Sequence, residues 1–216
     1  MSVSVMAMQQ EDRNRAERKL HAAARAAGRH LPLGLPPVIY LTDPARTPDP
    51  VATMAALPSS WAVIYRHFGQ PERNHIASRA NSDATRRHHP FLIAGDPQLA
   101  ADVGADGVHW PFARVAEARR WRGRFALMTA SAHSPDQLRS LQDAGIDAAL
   151  LSTAFASASP SARNPLGPTR FRQLARASRL PVYALGGVGA DTARAIAPVA
   201  GIAGIEGIES LYGPRI

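Results

Sequence analysis

From Val38 onward, short apolar runs recur along the chain, each separated from the next by an amphipathic or polar stretch. The runs at 38–42, 61–66, 90–94, 107–110, 125–131, 148–152, 181–185 and 202–207 are continuous rather than alternating. That pattern belongs to strands buried on both faces, as in parallel sheet. Helical patterning falls between them, most clearly at 97–103, 113–121, 134–144, 168–178 and 190–197. Ser134-Pro-Asp-Gln reads as a helix start, with a capping serine and proline in the first turn. Three strands follow a glycine that closes the preceding helix: Val-Gly-Ala-Asp-Gly-Val-His (103–109), Ala-Gly-Ile-Asp-Ala-Ala-Leu (144–150) and Ala-Gly-Ile-Ala-Gly-Ile-Glu (200–206). Between 70 and 89 the pattern weakens, and 154–167 is a long loop of Ser, Ala, Pro and Asn. Eight strands alternating with helices predict an α/β fold, a (β/α)8 TIM barrel, with a doubly wound open sheet as the alternative.

Two features lie outside the repeat. Residues 9–28 form an amphipathic helix with Ala16, Leu20, Ala23, Ala24 and Ala27 on one face and an end at Gly28, followed by a Pro- and Gly-punctuated linker at 31–37. This divides the chain into an N-terminal helix and linker, 1–37, and a barrel, 38–216. After the eighth strand only residues 209–216 remain, with Gly213 and Pro214 among them, so the eighth outer helix is truncated or missing. The alanine face of the N-terminal helix is expected to cover that gap beside the first and eighth strands, or a second subunit of a homodimer does.

Composition narrows the function classes. The absence of cysteine excludes disulfides, thiolate catalysis and cysteine-bound zinc. No run approaches the roughly 18 apolar residues of a membrane span, and alanine buries too little surface to anchor in lipid. The N-terminus shows no secretory signal, so a cytoplasmic location is expected. The net charge of +8 is carried almost wholly by arginine, spread over several helices without a nucleic-acid-binding motif, so no nucleic-acid partner is expected. Lys19, the only lysine, sits in the N-terminal helix, which disfavours Schiff-base chemistry in the barrel.

In a barrel, chemistry gathers where strands end. Those positions are Asp43, Arg66, Gly95 with Asp96, His109, Ser131 with His133, Ser152 with Thr153, Gly186 with Gly187, and Glu206 with Gly207. Arg66 suits an anion clamp. His109 and His133 titrate near neutrality, with no partner legible for either and no second metal ligand at helical spacing. The run Leu180-Pro-Val-Tyr-Ala-Leu-Gly-Gly-Val-Gly-Ala-Asp191 brings bare backbone N–H groups to a turn before a helix, a place to hold phosphate against the loop after the eighth strand. Ser157 and Ser159 offer hydroxyls to the same ligand, and Glu206 opposes it.

Val-Gly-Ala-Asp-Gly-Val-His at 103–109, Ser-Ala-His at 131–133, the loop leading to Gly167, Tyr-Ala-Leu-Gly-Gly-Val at 183–188 and Gly-Ile-Ala-Gly-Ile at 201–205 occur in that order. The sequence, from 38 to about 208, resembles the thiamine phosphate synthase family, which includes the related thiazole tautomerases. The resemblance implies the same barrel and a transferase of thiamine biosynthesis, coupling hydroxymethylpyrimidine diphosphate to a thiazole phosphate with magnesium and basic residues on the diphosphate. The family's arginine after the second strand matches Arg66, its fifth-strand serine Ser131, and its glycine pair Gly186 and Gly187. Other positions depart. The glutamine before the arginine is Ile64 and the basic residue after it Phe68. The Asn-Asp pair falls on Ala94 and Gly95, leaving Asp96 one position late as the only metal candidate. The second magnesium aspartate falls on Arg114. Thr-x-Thr-Lys falls on Ser157, Ala158, Ser159 and Pro160, the last serine near Glu206 to Glu209, and the tautomerase histidine on Thr153. The resemblance therefore implies a degraded magnesium and diphosphate site, with no cofactor expected. Two readings follow: a divergent synthase in which Arg114 or Arg163 replaces metal and lysine, or a non-catalytic barrel that binds a thiazole phosphate or another small anionic ligand. In both, the partner is a small phosphorylated metabolite.

Overall fold

The computed structural model describes residues 3–47, 49–157 and 164–214, and side chains from residue 7 onward. Strands β1 (Val38–Leu41), β2 (Ala62–Tyr65), β3 (Phe91–Ala94), β4 (Gly107–Trp110), β5 (Leu127–Ala132), β6 (Ala148–Ser152), β7 (Val182–Leu185) and β8 (Gly201–Gly204) pair in parallel and in sequence order. β8 returns to β1 through Val38 opposite Ile202, closing a barrel and setting aside the open sheet. The helices are α1 (Val3–His30), α2 (Pro50–Ala56), α3 (Arg73–Arg87), α4 (Pro97–Val103), α5 (Ala118–Trp121), α6 (Pro135–Ser140), α7 (Gly167–Ala177) and α8 (Glu206–Tyr212).

The unbroken apolar runs are explained by burial on two sides. Val38, Tyr40, Val63, Tyr65, Phe91, Ile93, Val108 and Trp110 pack outward under the helices. Their sequence neighbours Ile39, Leu41, Ala62, Ile64, Leu92 and Ala94 fill the interior with Leu150 and Tyr183. The Tyr183 ring lies where a Cβ on Gly201 would come within 2.3 Å of it. Its hydroxyl donates to the Pro36 carbonyl at 2.6 Å, tying the linker under the barrel floor.

Several boundaries differ from the sequence reading. α1 continues past Gly28 to His30, and Gly28 serves as a contact with Pro37 rather than a stop. The stretch 190–197 is not a helix: only a 3-10 turn, Ala193–Ala195, forms there. β8 ends at Gly204, and Glu206 and Gly207 open α8. The helices read at 113–121 and 134–144 are each part α and part 3-10. α2 and α3 were not legible; α3 buries only small or polar side chains such as Ala77, Ala80, Asn81 and Ala84, too weak a stripe to stand out.

α8 is the truncated outer helix, seven residues long. α1 packs beside it and β8, with Leu20, Ala23, Ala24 and Ala27 buried. Arg13 donates to the Leu211 carbonyl, Lys19 pairs with Asp191 at 2.7 Å, and His21 meets the Tyr212 hydroxyl at 3.1 Å. Leu20→Ala is expected to lower unfolding free energy by about 2–4 kcal/mol through the cavity it leaves. Arg18→Ala on the exposed face should stay within about 0.5 kcal/mol. Urea unfolding of the two variants measures this; equal effects would mean that α1 does not seal the barrel.

Candidate functional site

The C-terminal ends of the strands surround a cavity of about 570 Å3. Arg66, His109, Ser131, His133, Ser157, Gly186, Gly187, Glu206 and Gly207 all line it. Arg46, Phe68, Ser152, Thr153 and Thr192 join them. Asp96 and Arg114 do not, and Ser159, Pro160 and Arg163 lie outside the described residues.

The β7 turn is shaped by close packing. Gly186 (φ +93) and Gly187 (φ +63) are both left-handed, which glycine adopts without the penalty of a side chain. A Cβ on Gly186 would lie 2.7 Å from Thr153 Cγ2, and one on Gly187 2.2 Å from the Ala156 carbonyl oxygen. The β6 loop is laced across them: Ala154 N–H donates to the Leu185 carbonyl at 2.8 Å and Phe155 N–H to that of Gly186 at 2.9 Å. Thr192 Oγ1 donates to the Gly187 carbonyl and accepts from Gly189 N–H, holding the turn from the other side. Among the described residues, none accepts from the N–H of Gly187 or Val188. The helix dipole expected here is missing, because no helix follows; the N–H groups act alone.

Arg66 leaves β2 into the mouth. Its backbone N–H is held by Thr42 Oγ1 at 2.9 Å. Among the described residues, its guanidinium has no hydrogen-bond or ion-pair partner. Burial lowers its pKa, with attraction to Asp43 and repulsion from Arg46 acting in opposite senses. Arg46, unnoticed in the sequence, donates to Asp43 at 2.8 Å and lies 3.7 Å from Glu206. Glu206 is thus countered by a cation. Glu209 turns away from the cavity altogether, accepting from Tyr40 Oη at 2.5 Å and Thr53 Oγ1 at 3.1 Å behind the barrel wall.

Both histidines have partners, contributed by neighbouring strands. His109 Nδ1 lies 2.9 Å from Thr129 Oγ1 and Nε2 2.9 Å from Ser131 Oγ. Burial, then Arg66 and His133, push its pKa down to about 3, so the ring is neutral at physiological pH. A neutral imidazole donates from one nitrogen and accepts at the other, which fixes the Ser131 hydroxyl and disqualifies His109 as a cationic acid. His133 Nδ1 lies 2.8 Å from Ser152 Oγ, and burial lowers its pKa. The parallel register sets these pairs: His109 stands opposite Thr129 across β4 and β5.

At the positions to which the resemblance points for magnesium, the described side chains have partners within the protein. Asp96 caps α4: Oδ1 accepts from Leu99 N–H at 2.9 Å and Oδ2 from Arg73 at 2.6 Å. Burial works to raise its pKa, but the Leu99 N–H and Arg73 outweigh it and hold the carboxylate ionised. Arg114 forks onto Glu117 with two bonds of 2.7 Å and donates to the Gly95 carbonyl at 2.6 Å. Among the described residues, no group of three or more His, Asp and Glu side chains is placed to hold an ion, and none of the helices is long and apolar enough to cross a membrane.

Residues 45–210 match the family described as thiamine monophosphate synthase. The thiamine-phosphate synthase of Marinobacter nauticus is 31% identical over 170 residues, covering 74% of this chain and 76% of that protein. A bifunctional thiamine biosynthesis protein of Symbiobacterium thermophilum is 37% identical over 130 residues, 58% of this chain; the match spans only 27% of that longer protein. The solved thiamine phosphate pyrophosphorylase of Pyrococcus furiosus superposes with a TM-score of 0.69 at 22% identity, over 82% of this chain and 88% of that one. The last likeness is one of fold; the first two, with the order of motifs around the mouth, place the sequence. The chain belongs to the thiamine monophosphate synthase family.

Proposed function

We propose that this barrel holds a small phosphorylated metabolite, a thiazole phosphate in the family's own chemistry, and no longer performs magnesium-assisted coupling to a diphosphate. The observation that carries the reading is Arg66: a half-buried guanidinium without an acceptor among the described residues, lining the same cavity as Gly187 and Val188, whose N–H groups also have no acceptor among the described residues. A phosphate dianion supplies the acceptors both are missing, with a charge-assisted bond to Arg66 and backbone bonds at the turn. Ser131, oriented by neutral His109, offers a hydroxyl to the body of the ligand. Arg46 is occupied by Asp43 and Glu206, which leaves Arg66 as the free counter-charge among the described residues. One such cation suits one phosphate and leaves the departure of a diphosphate poorly stabilised.

Calorimetric titration with the thiazole phosphate is expected to show sub-millimolar binding. A coupled assay with hydroxymethylpyrimidine diphosphate should show no turnover above background, with or without magnesium. Magnesium-dependent turnover that disappears in Asp96→Ala would restore the synthase reading. No binding at millimolar ligand would remove the site.

A further inference from the structure

His109 bridges two layers of the barrel interior. On β5, Met128, Ala130 and Ala132 pack outward under the helices, so Leu127, Thr129 and Ser131 face inward. His109 stands opposite Thr129 in the register, and from there its ring reaches Thr129 Oγ1 with Nδ1 and Ser131 Oγ with Nε2, both at 2.9 Å. The two hydroxyls differ in their surroundings. Ser131 lines the cavity. Thr129 is fully buried, and among the described residues its hydroxyl has no hydrogen-bond partner other than the His109 ring. Burial then sets the direction of both bonds, because a buried donor left without an acceptor bears its whole desolvation cost. If Nδ1 carried the ring proton, Thr129 would accept it and its own proton would point at no acceptor. With Nδ1 bare, Thr129 donates to Nδ1, the ring proton on Nε2 goes to Ser131 Oγ, and every proton of the buried part has a partner. The Ser131 proton is the one left over, and it is free to face the cavity. His133 carries no such constraint, because its partner Ser152 lines the open cavity.

We infer that Thr129 is a positioning residue: by donating to Nδ1 it holds His109 as the Nε2–H tautomer, and so makes the Ser131 hydroxyl a hydrogen-bond donor towards the ligand. The inference rests on the phosphate reading above and adds the direction of the Ser131 bond. Thr129 does not line the cavity and acts on the ligand only through His109 and Ser131. The group that Ser131 meets is therefore an acceptor, such as a phosphate or carbonyl oxygen or an unprotonated ring nitrogen. The opposite tautomer would take the Ser131 proton for Nε2 and show the mouth only oxygen lone pairs, which repel an anion. The low pKa of His109 suits this relay, since an imidazolium would donate from both nitrogens and leave Thr129 as an acceptor.

The test joins histidine 15N NMR of the ligand-free full chain at neutral pH with calorimetry using the thiazole phosphate as probe. The His109 signals, assigned by their loss in His109→Asn, should show a bare Nδ1 and a protonated Nε2 in the wild type. Thr129→Val keeps the shape and removes the hydroxyl; it should lose that single tautomer and bind the probe about 5- to 20-fold more weakly, the loss of one hydrogen bond. Thr129→Ser, which restores the donor, should recover both the tautomer and the affinity. In a Ser131→Ala background Thr129→Val should cost less than about twofold, because the hydroxyl through which it acts is already gone. A proton on Nδ1 in the wild type, an unchanged tautomer in Thr129→Val, or a loss of affinity as large with Ser131→Ala as without it would each overturn the role of Thr129 and leave the phosphate reading intact. A wild-type chain that does not bind the probe at millimolar concentration would overturn the phosphate reading and, with it, the bond from Ser131 to the ligand, whereas the ligand-free spectra alone then decide whether Thr129 sets the tautomer.

Discussion

Gly187→Ala is expected to cost the fold about 3–4 kcal/mol and to abolish anion binding at the mouth. Two effects add. The residue sits at φ +63, where a side chain costs roughly 1–2 kcal/mol. The new Cβ would also lie 2.2 Å from the Ala156 carbonyl oxygen and 2.9 Å from the Phe155 carbonyl carbon. These are backbone atoms of a segment bonded to β7 through Ala154 and Phe155, so no rotamer change relieves the clash. The β6 loop has to lift, and its two bonds to the Leu185 and Gly186 carbonyls are worth about 1 kcal/mol each. Gly123→Ala is the control: its φ of +90 carries a similar backbone penalty, but nothing lies within 4 Å of the added atom. It should lose only about 1 kcal/mol. Urea unfolding gives the stabilities, and amide exchange at Phe155 reports the loop. If the two variants are equally destabilised and Phe155 stays protected, the turn is not held by the β6 loop.

The strands were readable because a closed barrel buries both of their faces, so the apolar runs have no polar interruption to confuse them with amphipathic helix. Thr129, Ser131 and His109 are the instructive exceptions, polar residues at inward positions near strand ends. Their meeting depends on the register between β4 and β5, which one strand's sequence does not carry. Asp96, one position late in the family pattern, has a use that the sequence also encodes. An aspartate one residue before a proline is also a helix cap, and Asp49 before Pro50 caps α2 in the same way, accepting from Ala52 N–H at 3.0 Å. The helix start claims this carboxylate as its cap. At 190–197 the alanines suggested a helix, but Thr192 is spent on Gly187 and Gly189, which leaves one 3-10 turn. Glu209 looked like a repulsive carboxylate because β8 was read three residues too long; with α8 starting at Glu206, the side chain is carried round to Tyr40 and Thr53.

Arg66→Met should move stability and binding in opposite directions. Without ligand, the guanidinium bears a desolvation cost that no described acceptor offsets, and Arg46 repels it while Asp43 attracts it. A methionine of similar length keeps the apolar packing of the stem and removes that cost, so the ligand-free protein should gain roughly 0.5–1 kcal/mol. The bound phosphate loses its charge-assisted partner, and affinity should fall on the order of 30- to 100-fold. Salt provides a second readout: the wild-type affinity should weaken with ionic strength more steeply than that of the variant, because the variant has lost the cation that salt screens. His109 provides a third. Arg66 is among the charges that lower its pKa, so the variant's His109 titration should shift upward, although burial keeps the ring neutral at physiological pH. Thermal or urea unfolding, phosphate titration at two salt concentrations and histidine NMR together decide the matter. A variant that is less stable by more than about 1 kcal/mol and binds phosphate as well as the wild type would make Arg66 a structural residue, because a side chain that the fold needs and the ligand does not is the reverse of a poised anion clamp.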